Sequence, residues 1–289
     1  MSNALRTAIL IAVAALAGSV VGIFVFIEIT GGSGTPSGET VAPTLDPNAI
    51  PTLSASQSFA LATRATELEE TVTEQAAAVA ALETAATAAA IPPATATALP
   101  ATEAPQNRVL YRIAAGGASE ARFFLQEDLR GVRTDVIGRT DQVAGDVVID
   151  FTDPALSQVG VIRTNARTLT TDQSQRNSAL RSRILRSAQD EYEYIEFAPS
   201  ALNGLPESIA IGTAYLLEIE GLLTIVGQAL PAVFRGEATL DSEATLRGEF
   251  TARLRYADWG IVIPDLPFIA NVDEEVELTL SFVAERVEE

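Results

Sequence analysis

Between Ala244 and Tyr256 the chain alternates without a break. Ala244, Leu246, Gly248, Phe250, Ala252, Leu254 and Tyr256 are interleaved with Thr245, Arg247, Glu249, Thr251, Arg253 and Arg255. Successive side chains of a β-strand point to opposite faces, so this stretch puts one face in an apolar interior and the other in water. Val276, Leu278, Leu280 and Phe282 repeat the pattern against Glu277, Thr279 and Ser281. The same periodicity predicts strands at 109–113, 121–126, 132–138, 145–150, 158–168, 194–198, 214–226 and 230–240, many of them bounded by Gly or Pro turns. Long two-faced strands must close on themselves or pack against another sheet. Residues 108–289 therefore read as a mainly β domain, an antiparallel barrel or sandwich large enough to bury a core.

One segment in this half breaks the period. Gln175–Ala188 (QRNSALRSRILRSA) reads as a helix with Leu180, Ile184 and Leu185 on one side and Arg176, Arg181, Arg183 and Arg186 largely on others. Residues 108–186 carry 12 Arg and 9 acids, whereas 187–289 carry 5 Arg and 20 acids. Two readings of this basic helix follow: an anion site for a phosphate or lipid head group, or a solvated face paired with Asp190, Glu191 and Glu193 next to it.

The first third of the chain has a different character. Residues 1–6 read as a cytoplasmic tail. Residues 7–27 form an uncharged apolar run between Arg6 and Glu28, about the 20 residues that cross a bilayer core as a helix. Ala15-Leu16-Ala17 resembles a signal-peptide cleavage site, but the apolar run continues past it to Ile27, longer than a signal core of about 7–15 residues. A retained signal-anchor is the expectation: a single-pass transmembrane helix with everything after it extracytoplasmic, on the positive-inside rule. Residues 28–57 are rich in Gly, Ser, Thr and Pro and read as a flexible linker. Residues 58–90 lack Gly and Pro and read as an Ala-rich stalk helix. Ala65, Val72, Val79 and Ala86 fall on one heptad seam and Leu61, Leu68, Leu82 and Ala89 on the other. A coiled coil joining copies of the chain into a homo-oligomer and a lone spacer helix both stay open. Residues 91–107, with Pro92, Pro93, Pro100 and Pro105, read as a second, semi-rigid Pro/Ala/Thr linker.

Composition then narrows the chemistry. The chain has no Cys, no His and no Lys, since all 19 of its basic residues are Arg. Thiolate, imidazole and Schiff-base catalysis are excluded, as are disulfides and Cys/His metal sites. No Asp/Glu cluster has ligand spacing, so the reading assigns no catalytic residue, no metal and no cofactor. A formal net charge of −19 argues against nucleic acid as a partner, because phosphates need a basic surface.

The domain resembles the YceI-like family through short motifs in a matching order. Ser119-Glu-Ala-Arg-Phe123-Phe-Leu125 looks like that family's first long strand. Gly138 followed by Gly145-Asp-Val-Val-Ile149-Asp150, and then Asn165-Ala-Arg-Thr-Leu-Thr-Thr171, correspond to later strand ends. Arg176-Asn-Ser-Ala-Leu180-Arg-Ser182 parallels the family's helix and Tyr194-Ile-Glu-Phe197 the strand after it. Glu220-Gly-Leu-Leu-Thr-Ile225-Val-Gly227 with Pro231 is similar to its hairpin, and Asp258-Trp259-Gly260-Ile261 to its closing turn. Ala118, Glu127 and Ala179 stand where the family often has His, and Tyr256 where an Arg is common.

The resemblance implies a lipocalin-like antiparallel barrel of about eight strands with one helical insertion. It also implies a ligand: a long polyisoprenoid, or an isoprenoid quinone, held by apolar burial. On that reading Phe123, Leu125, Ile149, Ile162, Leu222, Leu246, Phe250 and Leu254 line the interior. Arg176, Arg181, Tyr256 and Trp259 are candidates for the mouth or the head group. The alternative is a structural or adhesion protein whose barrel is packed solid by its own side chains and presented on an oligomerising stalk.

Overall fold

The computed structural model describes residues 35–47, 107–263 and 269–288. The expected tail, transmembrane helix and stalk (58–90), together with most of both linkers, lie outside the described residues.

Twelve strand segments form one sheet: β1 (Arg108–Ile113), β2 (Glu120–Leu129), β3 (Val132–Thr140), β4 (Val143–Asp150), β5 (Gln158–Val159), β6 (Ile162–Asn165), β7 (Tyr194–Asn203), β8 (Ala214–Ile225), β9 (Gln228–Leu240), β10 (Thr245–Arg255), β11 (Ile269–Ala270) and β12 (Glu275–Arg286). The register joins several of them into longer strands. β1 and β2 both run antiparallel along one edge of β12, at Tyr111↔Arg286 and then at Glu120↔Ser281, so they are two halves of one strand interrupted by the turn at 114–119. β3 and β4 pair with β2 and β1 respectively, and β5 and β6 both pair with β4. With β11 a short addition to β2, an eight-stranded antiparallel barrel results, closed where β12 meets β10 on one edge and β1/β2 on the other.

The alternation that predicts β10 is present in its burial, with Leu246, Phe250, Ala252 and Leu254 all buried. The expected single strand at 158–168 is instead broken. The Gly160 amide turns to donate to the Asp146 carbonyl (2.8 Å), and the Asn165 side chain caps a 3-10 turn by accepting from the Arg167 amide (3.0 Å). The expected helix at 175–188 is also shorter and changes type. An α-helical turn, α1 (Ser174–Ala179), passes into a π-helical turn at Leu180–Ile184, and the run ends before Arg186, which adopts a left-handed φ of 51°.

Large inward rings are accommodated by glycines on the neighbouring strand. Phe123 lies opposite Gly138, where a Cβ would come within 2.0 Å of the ring. Phe282 lies opposite Gly248, with a corresponding approach of 2.8 Å. Each ring therefore rests on bare backbone and leaves the centre of the barrel free. Phe250 stacks beside Phe282 at 6.3 Å between centroids.

The acidic run after the helix does not pair with the helix arginines. Two of its members, Asp190 and Glu193, instead hold Arg167, which is 5% exposed. The Arg167 guanidinium donates to Glu193 (2.9 Å), to Asp190 (2.5 Å) and to the carbonyls of Ser187 (2.6 Å) and Ala188 (3.2 Å). Glu193 also accepts from the Asn165 side chain (2.9 Å) and from the amide (2.8 Å) and hydroxyl (2.5 Å) of Ser37. Ser37 belongs to residues 35–47, which composition reads as spacer and which lie against the outside of the barrel.

Two outcomes follow from this packing. Gly138→Ala forces the Phe123 ring off its seat and lowers unfolding stability by about 1–3 kcal/mol, the usual penalty of overpacking, measurable by denaturant titration. Burial by itself would raise the Glu193 pKa, but the two Ser37 hydrogen bonds, Asn165 and the Arg167 charge together hold it below its ordinary value. A depressed carboxylate contributes stability above its unfolded pKa, about 4.3, and loses it as pH falls through the folded value. Melting temperature should therefore drop on the acid side of that value. Glu193→Gln should melt lower at neutral pH, because it leaves Arg167 short of a counter-charge, and should flatten the acid limb.

Candidate functional site

The interior of the barrel is hollow. A cavity of about 1070 Å³ runs between its walls, at the upper end of the roughly 300–1,000 Å³ typical of small-molecule sites. Its walls are mostly aliphatic and aromatic side chains from β2–β4, β6–β10 and β12. Phe123, Leu125, Ile149, Ile162, Leu246, Phe250 and Leu254 are all among them.

Leu222 is not. In β8 the inward set is odd-numbered, with Ile219, Leu223 and Ile225 buried against the cavity and Leu222 half-buried on the outer face, opposite Pro231 of β9. Alternation along the strand carried this signal: Leu222 shares its face with Glu218, Glu220 and Thr224, whereas Leu223 falls in step with Ile219 and Ile225. Trp259 also departs from expectation. It is 4% exposed, its indole N–H donates to the Leu223 carbonyl (2.9 Å), and it is a core residue outside the cavity rather than a mouth residue. It sits in the 3-10 turn 256–259 after β10, which Gly260 ends in a left-handed conformation at φ 68°.

Polar groups gather where α1 and its π-helical continuation meet the cavity. Gln173–Arg181 line it, and facing them on β2 is Glu127, 5% exposed. Arg176 is held twice, donating to Glu127 (2.7 Å) and to Asp172 (2.5 Å). Glu127 was legible in the sequence only as a missing His. In the fold it is the buried anchor of that arginine. Arg181 also lines the cavity and, among the described residues, pairs with no carboxylate. Tyr256 also lines the cavity. Burial first, then the Glu274 and Asp273 charges, push its phenol above the ordinary tyrosine range, so its hydroxyl keeps its proton.

Chemically this is a large apolar chamber with a small polar corner. Among the described residues no group of three or more Asp or Glu is placed to hold a metal ion. Interior residues that single-strand reasoning missed include Phe197, Ile219, Leu223 and Phe282. Phe197 ends a YceI-like motif, and Ile219, Leu223 and Phe282 lie on alternating strands, so all four carried a usable signal.

The Leu222/Leu223 assignment is directly testable. Leu223→Ala removes a side chain that is 2% exposed and should cost about 2–5 kcal/mol of stability, as buried leucines do. Leu222→Ala should cost clearly less in the same denaturation experiment.

A family model for the YceI-like domain matches residues 111–284. Similar solved structures include a polyisoprenoid binding domain from Saccharophagus degradans implicated in plant cell wall breakdown. It is 13% identical, with 61% of this chain and 98% of that one covered at a TM-score of 0.46. BcnA from Burkholderia cenocepacia is 16% identical, with 57% and 95% covered at a TM-score of 0.43. No curated protein matches the chain. The family match takes in both halves of the closing strand pair, the helical insertion and the residues around the cavity, and on it the chain belongs to the YceI-like domain family.

Proposed function

We propose that this chain is a membrane-anchored, extracytoplasmic binding protein whose barrel holds a polyisoprenoid, or an isoprenoid quinone, by apolar burial. The observation that carries the reading is the hollow interior, an apolar chamber of about 1070 Å³ in a barrel whose family is known for long prenyl ligands. A solidly packed barrel, as a purely structural role would allow, is not what the side chains build.

Magnitudes favour the same class of ligand. Each buried methylene contributes roughly 0.8 kcal/mol, so a five-carbon isoprene unit contributes about 4 kcal/mol. Association costs on the order of 4–15 kcal/mol, so about four units outweigh it without directional contacts. The polar corner then orients the ligand. Arg176 is already occupied by Glu127 and Asp172, and Arg181 and the protonated Tyr256 hydroxyl are the groups that meet head-group oxygens. Binding of this kind needs no catalytic group, and the reading assigns none. The apolar run at 7–27 supplies the anchor, which keeps the barrel beside the membrane where such lipids reside.

Organic extraction of the purified full chain followed by mass spectrometry should recover a prenyl lipid near one per chain. Phe250→Asp puts a carboxylate in the chamber wall and should lower the recovered lipid at least tenfold. Ala238→Trp, which fills the chamber without charging it, should do the same if the first variant folds poorly. Protein that extracts blank and takes up no added prenyl quinone would overturn the proposal.

A further inference from the structure

Residues 35–47 cross the outside of the barrel wall and are fixed at every few residues. The Thr35 carbonyl and the Ser37 hydroxyl accept from Arg167 (3.1 and 2.9 Å), and Ser37 in turn donates to Glu193. The Val41 carbonyl accepts from Arg163 of β6 (2.7 Å), and the Thr44 hydroxyl from Arg112 of β1 (3.4 Å). The Leu45 amide donates to Asp146 of β4 (3.1 Å). The seat is shaped as well as polar. Thr40 is 2% exposed, and the Leu45 side chain lies over Gly160, where a Cβ would approach Leu45 Cγ to 3.1 Å.

The chain rejoins the barrel close by. The Asn107 carbonyl accepts from the Phe151 amide (3.1 Å), and Arg108 pairs in register with Asp150. Asp146 and Asp150 are both on β4, and four residues of strand span about 13 Å. The two residues from Leu45 to Pro47 add at most about 7 Å. With a further step of about 5–6 Å at each of the two contacts, Leu45 to Asp146 and β4 to β1, residues 47 and 107 lie within roughly 30 Å of each other, whereas a flexible chain as long as the one between them has a mean end-to-end distance of about 45 Å.

We propose that residues 35–47 are a clasp by which the chain binds its own barrel, so that residues 48–106 leave and re-enter the same wall as a side excursion. The segment read as a stalk then does not stand in series between the N-terminal apolar run and the barrel. One consequence rests on the anchor reading above, while the clasp itself does not. Only residues 28–34 would separate the membrane from the barrel wall, a reach of about 25 Å. The lipid chamber would then work at the bilayer surface instead of ranging at the end of a long tether.

The chain has no Cys, so introduced pairs are unique probes. Spin labels on Pro47→Cys and Asn107→Cys in the full chain should give one narrow distance distribution centred below about 40 Å, label arms included. Leu45→Asp, which sets a carboxylate against Asp146, should broaden it while the barrel keeps its melting transition. In parallel, Leu45→Cys with Gly160→Cys should form a disulfide on mild oxidation. After cleavage at a protease site inserted within residues 95–104, the N-terminal fragment should then stay with the barrel until reduced. A broad distribution reaching past about 50 Å, centred near the free-chain value, or thiols that stay free with a fragment that separates, would overturn the clasp. A dye at residue 107 in nanodiscs should be quenched by labelled lipid head groups. A short 47–107 distance without quenching upholds the clasp and retires the anchor reading alone.

Discussion

Everything in this domain depends on β12 being paired along both edges. One edge takes β10 over the length of the strand, and the other takes β1 and β2 in succession. Closure removes the sheet edges that would otherwise invite association with other chains. It also encloses a space, and the side chains decide whether that space is filled. Here they leave it open: the Phe123 and Phe282 rings lie against the bare backbone of Gly138 and Gly248 and do not project to the axis. A hollow barrel and flattened rings are two views of the same packing solution.

Charge is handled by a similar economy of placement. Two of the buried arginine clusters sit on opposite sides of the wall and do different things. Arg176 with Glu127 and Asp172 faces the chamber and is neutralised there, so the polar corner does not confront an apolar ligand with an unpaired buried charge. Arg167 with Glu193 and Asp190 faces outward. It joins the loop after the helical insertion to residues 35–47. An acidic run that looks, on the linear chain, like the partner of the neighbouring arginine-rich helix gives two of its three carboxylates, Asp190 and Glu193, to an arginine that precedes that helix. Arg186 instead lies over the Tyr192 ring, 4.5 Å from its centroid.

Much of this was legible in the sequence where the signal is local. The strands at β10 and β12 follow from period-two alternation, and the motif order from Ser119 to Ile261 pointed to the family that the match at 111–284 supports. What was illegible depended on which neighbour a residue meets. The inward place of Leu223 is not of that kind, because Glu218, Glu220 and Thr224 share the face of Leu222 and the strand pattern itself turns Leu223 inward with Ile219 and Ile225. Trp259 belongs to a turn motif that suggests a mouth, yet its N–H is spent on the Leu223 carbonyl inside the wall. Residues 35–47 have the composition of a spacer, because a segment held by its backbone atoms and by a few side-chain contacts has no need of an apolar pattern.

By itself the sequence determined that this chain makes two-faced strands, that those strands must close or stack, and that thiol, imidazole and lysine chemistry are absent. These are properties of single residues and of near neighbours, and they survive in any arrangement of the chain. The tertiary structure alone decided that the barrel is hollow, that Arg176 is spoken for while Arg181 meets no carboxylate among the described residues, and that residues 35–47 lie on the wall. Each of those depends on groups far apart in sequence, such as Ser37 and Glu193, Glu127 and Arg176, or Leu45 and Asp146. Local propensity carries no record of such pairs, because only closure of the sheet brings them within reach of one another.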